Sequence, residues 1–372
     1  MRILIYANTD WFMYNFNLEL ASTLVNGGHE VVLLSPPGKY GNKLKDYGFH
    51  WVSAPMDRGS LNLFRELKFL LWLVGFLRRE KIDLIHSFTL KCAVYGAIAA
   101  SFAGIRSKVN SITGMGYVFT SMDAKACILR PVITLLMRVT LNDSSSRLLV
   151  LNRYDYNFFC DHKIVDLERL RLIPGAGIDC EKYKPSVRVN NKFTVLLAAR
   201  LLWDKGVLEY VEASKIIKDK GIDIDFLLAG SPDPGNPAAI PESVLSEWSM
   251  EGVIKILGHV DDMPTLLGTV DAVALPSYRE GLPTGLTEAG ACGLPLITTD
   301  VPGCNEVVTH EVDGLLVPVK NSKALADAIL RLYSNQELCE KLGKAARNKA
   351  VAMFDKAIVN KMTIEIYKEL EN

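Results

Sequence analysis

The sequence predicts an α/β chain built from two parallel-sheet, Rossmann-like domains. Short apolar runs of strand length alternate with runs of helix length from one end to the other. The alternation is interrupted by one turn-rich stretch, Ile173-Pro-Gly-Ala-Gly-Ile-Asp179 through Tyr183-Lys-Pro-Ser186. The chain's 372 residues, 49% hydrophobic and 23% charged, are enough for two separate cores. Strands that alternate with helices imply parallel sheets covered on both faces, because each parallel connection must cross over.

In the first half, strands are expected at Arg2–Ala7, Glu30–Leu34, Trp51–Ala54, Asp83–Ser87, Lys108–Thr113 and Leu148–Asn152. Helices are expected at Phe16–Gly27, Leu61–Glu80, Cys92–Ala103, Lys125–Leu141 and Tyr154–Asp161. A linker is placed at about 175–191, so that residues 1–175 form the first domain and 190–354 the second. In the second half, strands are expected at 193–199, 225–229, 253–257, 271–275, 295–298 and 315–317, with late helices at 321–334, 336–352 and Ala357–Leu370.

One window points to chemistry. The apolar run Asp271-Ala-Val-Ala-Leu-Pro276 reads as a buried strand, Gly281 and Pro283 break the chain, and Pro283 suits the first position of a helix running to Cys292. Glu280 then lies at the carboxyl end of a strand, where open α/β sheets bind ligands, and Glu288 about one turn into the next helix. The free N–H groups at that helix start favour an anion such as a diphosphate. Two carboxylates beside such a helix suit a nucleotide-sugar, although two exposed acids on a helix would look the same. Upstream, the strand Phe193–Ala199 is followed by Arg200 and Lys205, which bracket another strand-to-helix turn. A guanidinium fork and an ammonium there can neutralise a leaving diphosphate. Either cation alone would read as solvated; with the two glutamates in one α/β unit, the functional reading prevails.

These elements carry a resemblance. Ala199-Arg200-(x4)-Lys205-Gly206, Glu280-(x7)-Glu288, Ala291-Cys-Gly-Leu-Pro295, Gly303-(x2)-Glu306 and Asp313-Gly-Leu-Leu-Val-Pro318 are similar to the retaining GT-B glycosyltransferases of family 4. The resemblance spans the chain, is strongest over residues 193–320, and is closest to bacterial enzymes that add N-acetylhexosamine to undecaprenyl-diphosphate-linked sugars. It implies two Rossmann-like domains facing across a cleft, with residues from about 355 to 372 crossing back as a helix to the N-terminal, acceptor-binding domain. It also implies a UDP-sugar donor on the C-terminal domain, held by Arg200, Lys205, Glu280, Gly281, Leu282, Thr284 and Glu288. Arg200 and Lys205 would meet the diphosphate, Glu288 the ribose hydroxyls, and Glu280 the donor sugar and its oxocarbenium-like charge. The catalytic set is thus Glu280, Arg200 and Lys205.

The first half departs from the family pattern. The strand end Asn110-Ser-Ile-Thr113-Gly114 has threonine and glycine where many members carry a histidine near the reacting sugar. Weight therefore shifts to backbone and leaving-group chemistry, with the departing phosphate as base. The loop Asn8–Asn15 lacks paired glycines and offers Asn8, Thr9, Asp10, Trp11, Tyr14 and Asn15; with His86, expected at a strand end, and Thr113 and Gly114, these form the candidate acceptor site. A hydrophobic loop packed on the core is the alternative.

No cofactor and no metal are expected. Asp223-Ile-Asp225 has the D-x-D spelling of metal-dependent transferases of another fold, but its place in a turn and at a strand start suits solvated acids better. No G-x-G-x-x-G follows the first strand, which disfavours a nicotinamide enzyme. A GT-B epimerase, or a transferase acting on a soluble acceptor, stays open as an alternative.

Seven scattered cysteines without C-x-x-C suggest a reduced setting, and Met1 leads directly into a strand without a signal-peptide pattern. The longest apolar run, Phe69–Leu77, is too short to span a bilayer. Zero net charge conceals an asymmetry: residues 1–186 hold 23 Lys and Arg against 16 Asp and Glu, and the remainder 19 against 26. Nothing resembles a nucleic-acid module. The apolar helices Leu61–Glu80 and Lys125–Leu141, flanked by Arg65, Lys68, Arg78, Arg79, Lys81, Lys125, Arg130 and Arg138, suit an anionic membrane surface. The expected location is cytoplasmic, peripherally on the inner face of the plasma membrane, with a polyprenyl-diphosphate-linked acceptor.

Overall fold

The computed structural model describes residues 1–57, 59–60, 62–120, 124–186, 192–233 and 236–371. Leu61, residues 187–191 of the expected linker, and the side chains of Tyr117 and Lys125 lie outside that description. The chain divides into two units, Met1–Gly177 with Ala357–Asn372, and Ile178–Lys356.

The first unit contains β1 (Arg2–Tyr6), β2 (Glu30–Ser35), β3 (His50–Ser53), β4 (Leu84–Phe88), β5 (Ser107–Ile112), β6 (Ser146–Val150) and β7 (Leu170–Leu172). They form one parallel sheet in the order β3-β2-β1-β4-β5-β6-β7. Alternation along β1 serves two cores: Ile3 and Ile5 face one, Leu4 and Tyr6 the other. The C-terminal helix Lys356–Lys368 supplies Val359, Ile366 and Tyr367 to the first of these. Glu369 secures its end, 2.9 Å from Arg147 and 2.6 Å from Arg171. The expected return of the C-terminus to the N-terminal sheet is therefore observed.

The second unit contains β8 (Thr194–Ala198), β9 (Asp225–Ala229), β10 (Lys255–Gly258), β11 (Ala272–Leu275), β12 (Leu296–Thr299) and β13 (Leu315–Val317). Its sheet is also parallel, in the order β10-β9-β8-β11-β12-β13. From β8 the chain winds outward in one direction through β9 and β10, then in the other through β11 to β13. The switch point lies between β8 and β11.

Two expectations are corrected here. Residues 8–15 are not a loop: Thr9 caps a helical start by accepting from the Phe12 N–H at 3.1 Å, and the chain runs through Asp10–Phe12 and a wider turn at Met13–Asn17 into the helix Leu18–Asn26. Buried Asp10 anchors it by accepting from the Tyr40 and Gly41 amides at 2.7 and 2.9 Å. Residues 178–186 do not behave as a free linker either. Arg347 donates to the carbonyls of Cys180 (3.0 Å), Tyr183 (2.8 Å) and Ala291 (2.7 Å), which fastens this segment to the second unit.

Candidate active site

The switch point is where an open parallel sheet leaves a crevice beyond its strand ends, because neighbouring crossovers depart to opposite faces. Three loops leave the sheet around it: residues 199–206 after β8, 276–283 after β11 and 300–303 after β12. Their mutual approach requires particular glycines. Gly206 sits at φ +71°, and a Cβ there would come within 2.0 Å of the Pro276 carbonyl; Gly303, at φ +84°, would meet the Glu280 carbonyl at 2.5 Å. Hydrogen bonds then lock the loops: Tyr278 N–H to Asp204 carbonyl at 2.8 Å, Ser277 hydroxyl to the same carbonyl at 3.0 Å, and Glu280 N–H to Pro302 carbonyl at 3.0 Å. Behind them the Tyr278 hydroxyl donates to buried Glu209 at 2.7 Å.

This scaffold brings Lys205 and Glu280 together. The ammonium donates to the Glu280 carboxylate at 2.7 Å, and each side chain is only 12% exposed. Arg200 is more open and pairs at 2.8 Å with Asp233, on the loop after β9. That partner is missed by the sequence reading; its only signal was an acid in a turn-rich run beyond an apolar strand. Leu282, half-buried, and Gly281 lead into the helix Thr284–Ala291. Pro283 occupies the cap position instead of the first helical turn, and Leu286 and Thr287 turn back onto its carbonyl, so Thr284 begins the open end of the helix. Glu288 follows one turn in, half-buried. Burial pushes its carboxyl up to about 7, against a smaller opposing effect from the hydroxyl of Tyr183. Tyr183 is the second missed partner, lying in the stretch that reads as linker.

The first unit treats its candidates differently. His86 is corrected: it lies in the middle of β4, not at its end, and is fully buried. Its ring nitrogens meet the Tyr367 hydroxyl at 2.5 Å and the Ser111 hydroxyl at 2.7 Å, and burial lowers its pKa to about 3. A neutral imidazole spent on two internal partners ties the C-terminal helix to the sheet, and an acceptor sugar cannot reach it. Asn15 turns its amide onto the Trp11 carbonyl at 2.9 Å. Tyr14 packs against Tyr40 and Tyr47, ring centres 5.0 and 6.0 Å away, with the Lys43 ammonium over its ring. Asn8, Thr113 and Gly114 are half-buried just beyond the carboxyl ends of β1 and β5, and a Cβ at Gly114 would meet nothing.

Asp223 and Asp225 both pair with the Lys192 ammonium, at 2.6 Å for Asp223. Among the described residues no cluster of three His, Cys, Asp or Glu side chains could hold a metal ion. Among the described residues no two cysteines are joined by a disulfide.

A parallel sheet with opposed charges on loops at its switch point, joined to a second parallel-sheet unit that recovers the C-terminal helix, defines the GT-B class. Residues 180–349 match the model for glycosyl transferases group 1, and residues 15–176 that for the glycosyl transferase 4-like domain. The chain belongs to these glycosyltransferases. It is 28% identical to the N,N'-diacetylbacillosaminyl-diphospho-undecaprenol alpha-1,3-N-acetylgalactosaminyltransferase of Campylobacter jejuni, across 99% of this chain and 98% of that one. It is 26% identical to the UDP-Gal:alpha-D-GlcNAc-diphosphoundecaprenol alpha-1,3-galactosyltransferase of Escherichia coli, across 80% and 78%. The fold is shared with Anabaena HepE, solved with UDP and glucose, at a TM-score of 0.81, 21% identity and 98% coverage of both chains.

Proposed function

We propose that the protein is a retaining, metal-independent transferase that moves an N-acetylhexosamine, N-acetylgalactosamine foremost, from a UDP-sugar to a polyprenyl-diphosphate-linked glycan at the inner face of the membrane. The observation that carries this reading is the Lys205–Glu280 pair at the switch point, with Glu288 one turn into the adjoining helix. The Campylobacter and Escherichia relatives, whose names specify undecaprenyl-diphosphate-linked acceptors, support the acceptor class; UDP in HepE and UDP-Gal for the Escherichia enzyme support the donor.

In this reading the donor diphosphate lies against Lys205, Arg200 and the amides at Leu282 and Thr284. Glu288, once ionised, accepts from the ribose hydroxyls, and Glu280 accepts from the donor sugar. The bond between the sugar C1 and the β-phosphate oxygen breaks, and charge accumulates on the phosphate where the cations wait. The acceptor hydroxyl gives its proton to that phosphate and its oxygen bonds to C1 on the same face, leaving UDP. The cations take the electrostatic part that a metal plays in other transferases, and no cofactor is needed. A panel of UDP-sugars, incubated with polyprenyl-diphosphate glycans in excess EDTA and read out by UDP release and product anomericity, tests this. Turnover that requires added Mg²⁺ or Mn²⁺, or an inverted product, refutes the corresponding part.

A further inference from the structure

The helices Leu63–Arg79, Leu90–Ala103 and Ala124–Leu141 lie side by side over one face of the first sheet, the middle one packed against both others. Their inner faces fill the cores beneath Tyr6 and Leu148. Their outer faces do not resemble water-facing helix surfaces. On Ala124–Leu141, Ile128, Val132, Leu135 and Val139 are 72, 55, 61 and 73% exposed, and Met137 on the opposite side is buried. At 3.6 residues per turn, steps of four, three and four keep those side chains within a sector of about 60°. On the first helix Leu63 and Phe64, 82 and 86% exposed, form a second exposed apolar row with Leu67 and Leu71. Soluble monomers scatter exposed large apolar side chains singly; rows of them mark a surface that something covers.

The charge on this layer is one-sided. The three helices contain a single acid, Glu66, which is buried and paired with Lys91 at 3.0 Å. Arg65, Lys68 and Arg79 stand exposed beside the apolar residues. A second copy of this face would bring cations against cations, whereas anionic lipid takes both features: phosphates for the cations and acyl chains for the apolar row. Among the described residues no helix is long and apolar enough to cross a membrane, so the contact runs along the surface.

We propose that this three-helix layer is a membrane-docking face, with Ile128, Val132, Leu135 and Val139 inserted at the headgroup–acyl boundary of an anionic bilayer and the basic residues on its phosphates. The inference deepens the proposed function, since it rests on the acceptor's being lipid-linked. It also sets the salt response. Attraction by charge alone fades at 1 M salt, where screening acts within about 3 Å, but apolar insertion persists.

Sedimentation of the full chain with phosphatidylglycerol-rich vesicles tests this. The wild type is expected to bind, with only part of the binding lost at 1 M salt. Ile128→Gln, Val132→Gln, Leu135→Gln and Val139→Gln combined remove exposed groups without changing charge, and are expected to weaken binding on the order of a hundredfold at every salt concentration. Arg65→Gln, Lys68→Gln and Arg79→Gln combined are expected to weaken it several-fold at low salt only. A polarity-sensitive label on Cys127, the exposed cysteine of the same helix, should report an apolar environment on vesicles. Wild-type binding by the fourfold variant, or an unshifted label on bound protein, overturns the proposal; so does a wild type that ignores vesicles but forms a dimer which the fourfold variant breaks. A short, water-soluble acceptor separates this from the proposed function: the fourfold variant should match the wild type on it. Transfer to no diphosphate-linked acceptor by either protein refutes the acceptor assignment instead.

Discussion

The two sheets put the polar side chains on their strands and on the segments that follow them to opposite uses. In the second unit, loops leaving β8 and β11 hold Lys205 and Glu280 in an ion pair at the switch point. In the first unit, His86, Asp10 and Asn15 spend their hydrogen bonds within the protein. Charges at the first site are arranged by a rigid, glycine-dependent loop scaffold and remain at a crevice. The polar groups of the first unit instead bind its own strands, helices and turns to one another. An ionisable residue near a strand end is therefore a weak sign of chemistry until its partners are known; opposed charges from separate loops are a stronger one.

The sharpest way to break the comparison is at Lys205. Lys205→Ala should lower turnover by roughly 10²–10³, the cost of removing one preorganised electrostatic donor, and Arg200→Ala should lower it in the same direction. Steady-state kinetics with the preferred donor check this, and near-wild-type turnover in both variants would remove the diphosphate from this site.

The two glutamates sharpen it further. Glu280→Gln should reduce kcat more than donor affinity, because its contact with the sugar strengthens as charge develops; Glu288→Gln should mainly raise the donor KM. The raised carboxyl of Glu288 adds a pH signature. With its pKa at about 7, Glu288 is protonated below that pH and loses acceptor capacity, so the donor KM should rise as pH falls through about 7. Stability runs the other way. The folded state holds this proton more tightly than the unfolded chain, so stability declines as pH rises from the ordinary glutamate range towards 7. Glu288→Gln should relieve that decline by about 1–3 kcal/mol above pH 7, measured by denaturant titration at pH 5 and pH 8.

The smallest effect on catalysis is expected at His86. His86→Gln should leave the donor KM unchanged and cost about 1–3 kcal/mol in stability through the disturbed bonds to Tyr367 and Ser111. Because its folded pKa is lowered to about 3, wild-type stability should fall as pH drops below the ordinary histidine range, where the unfolded chain takes up the proton; the variant should lack that component. A large kcat loss with unchanged stability would return His86 to the active site.

The sequence by itself determined the alternation of strands and helices, the parallel sheets and the loops that carry Arg200, Lys205, Glu280 and Glu288. These are local matters: apolar periodicity, glycine and proline breaks and cap residues act within one turn or one strand, and the family motifs are contiguous. Only the tertiary structure decided which side chains satisfy one another. His86 is removed from the acceptor site by Tyr367, 281 residues away; Arg200 meets Asp233 across 33 residues; and Tyr183, from a stretch that reads as linker, reaches Glu288. Likewise, the apolar periodicity of Ala124–Leu141 does not show which part of the helix faces the core. Burial against the neighbouring helix leaves Ile128, Val132, Leu135 and Val139 outside. Burial and pairing depend on what folding brings within a few ångströms, and one helix or one strand does not contain that information.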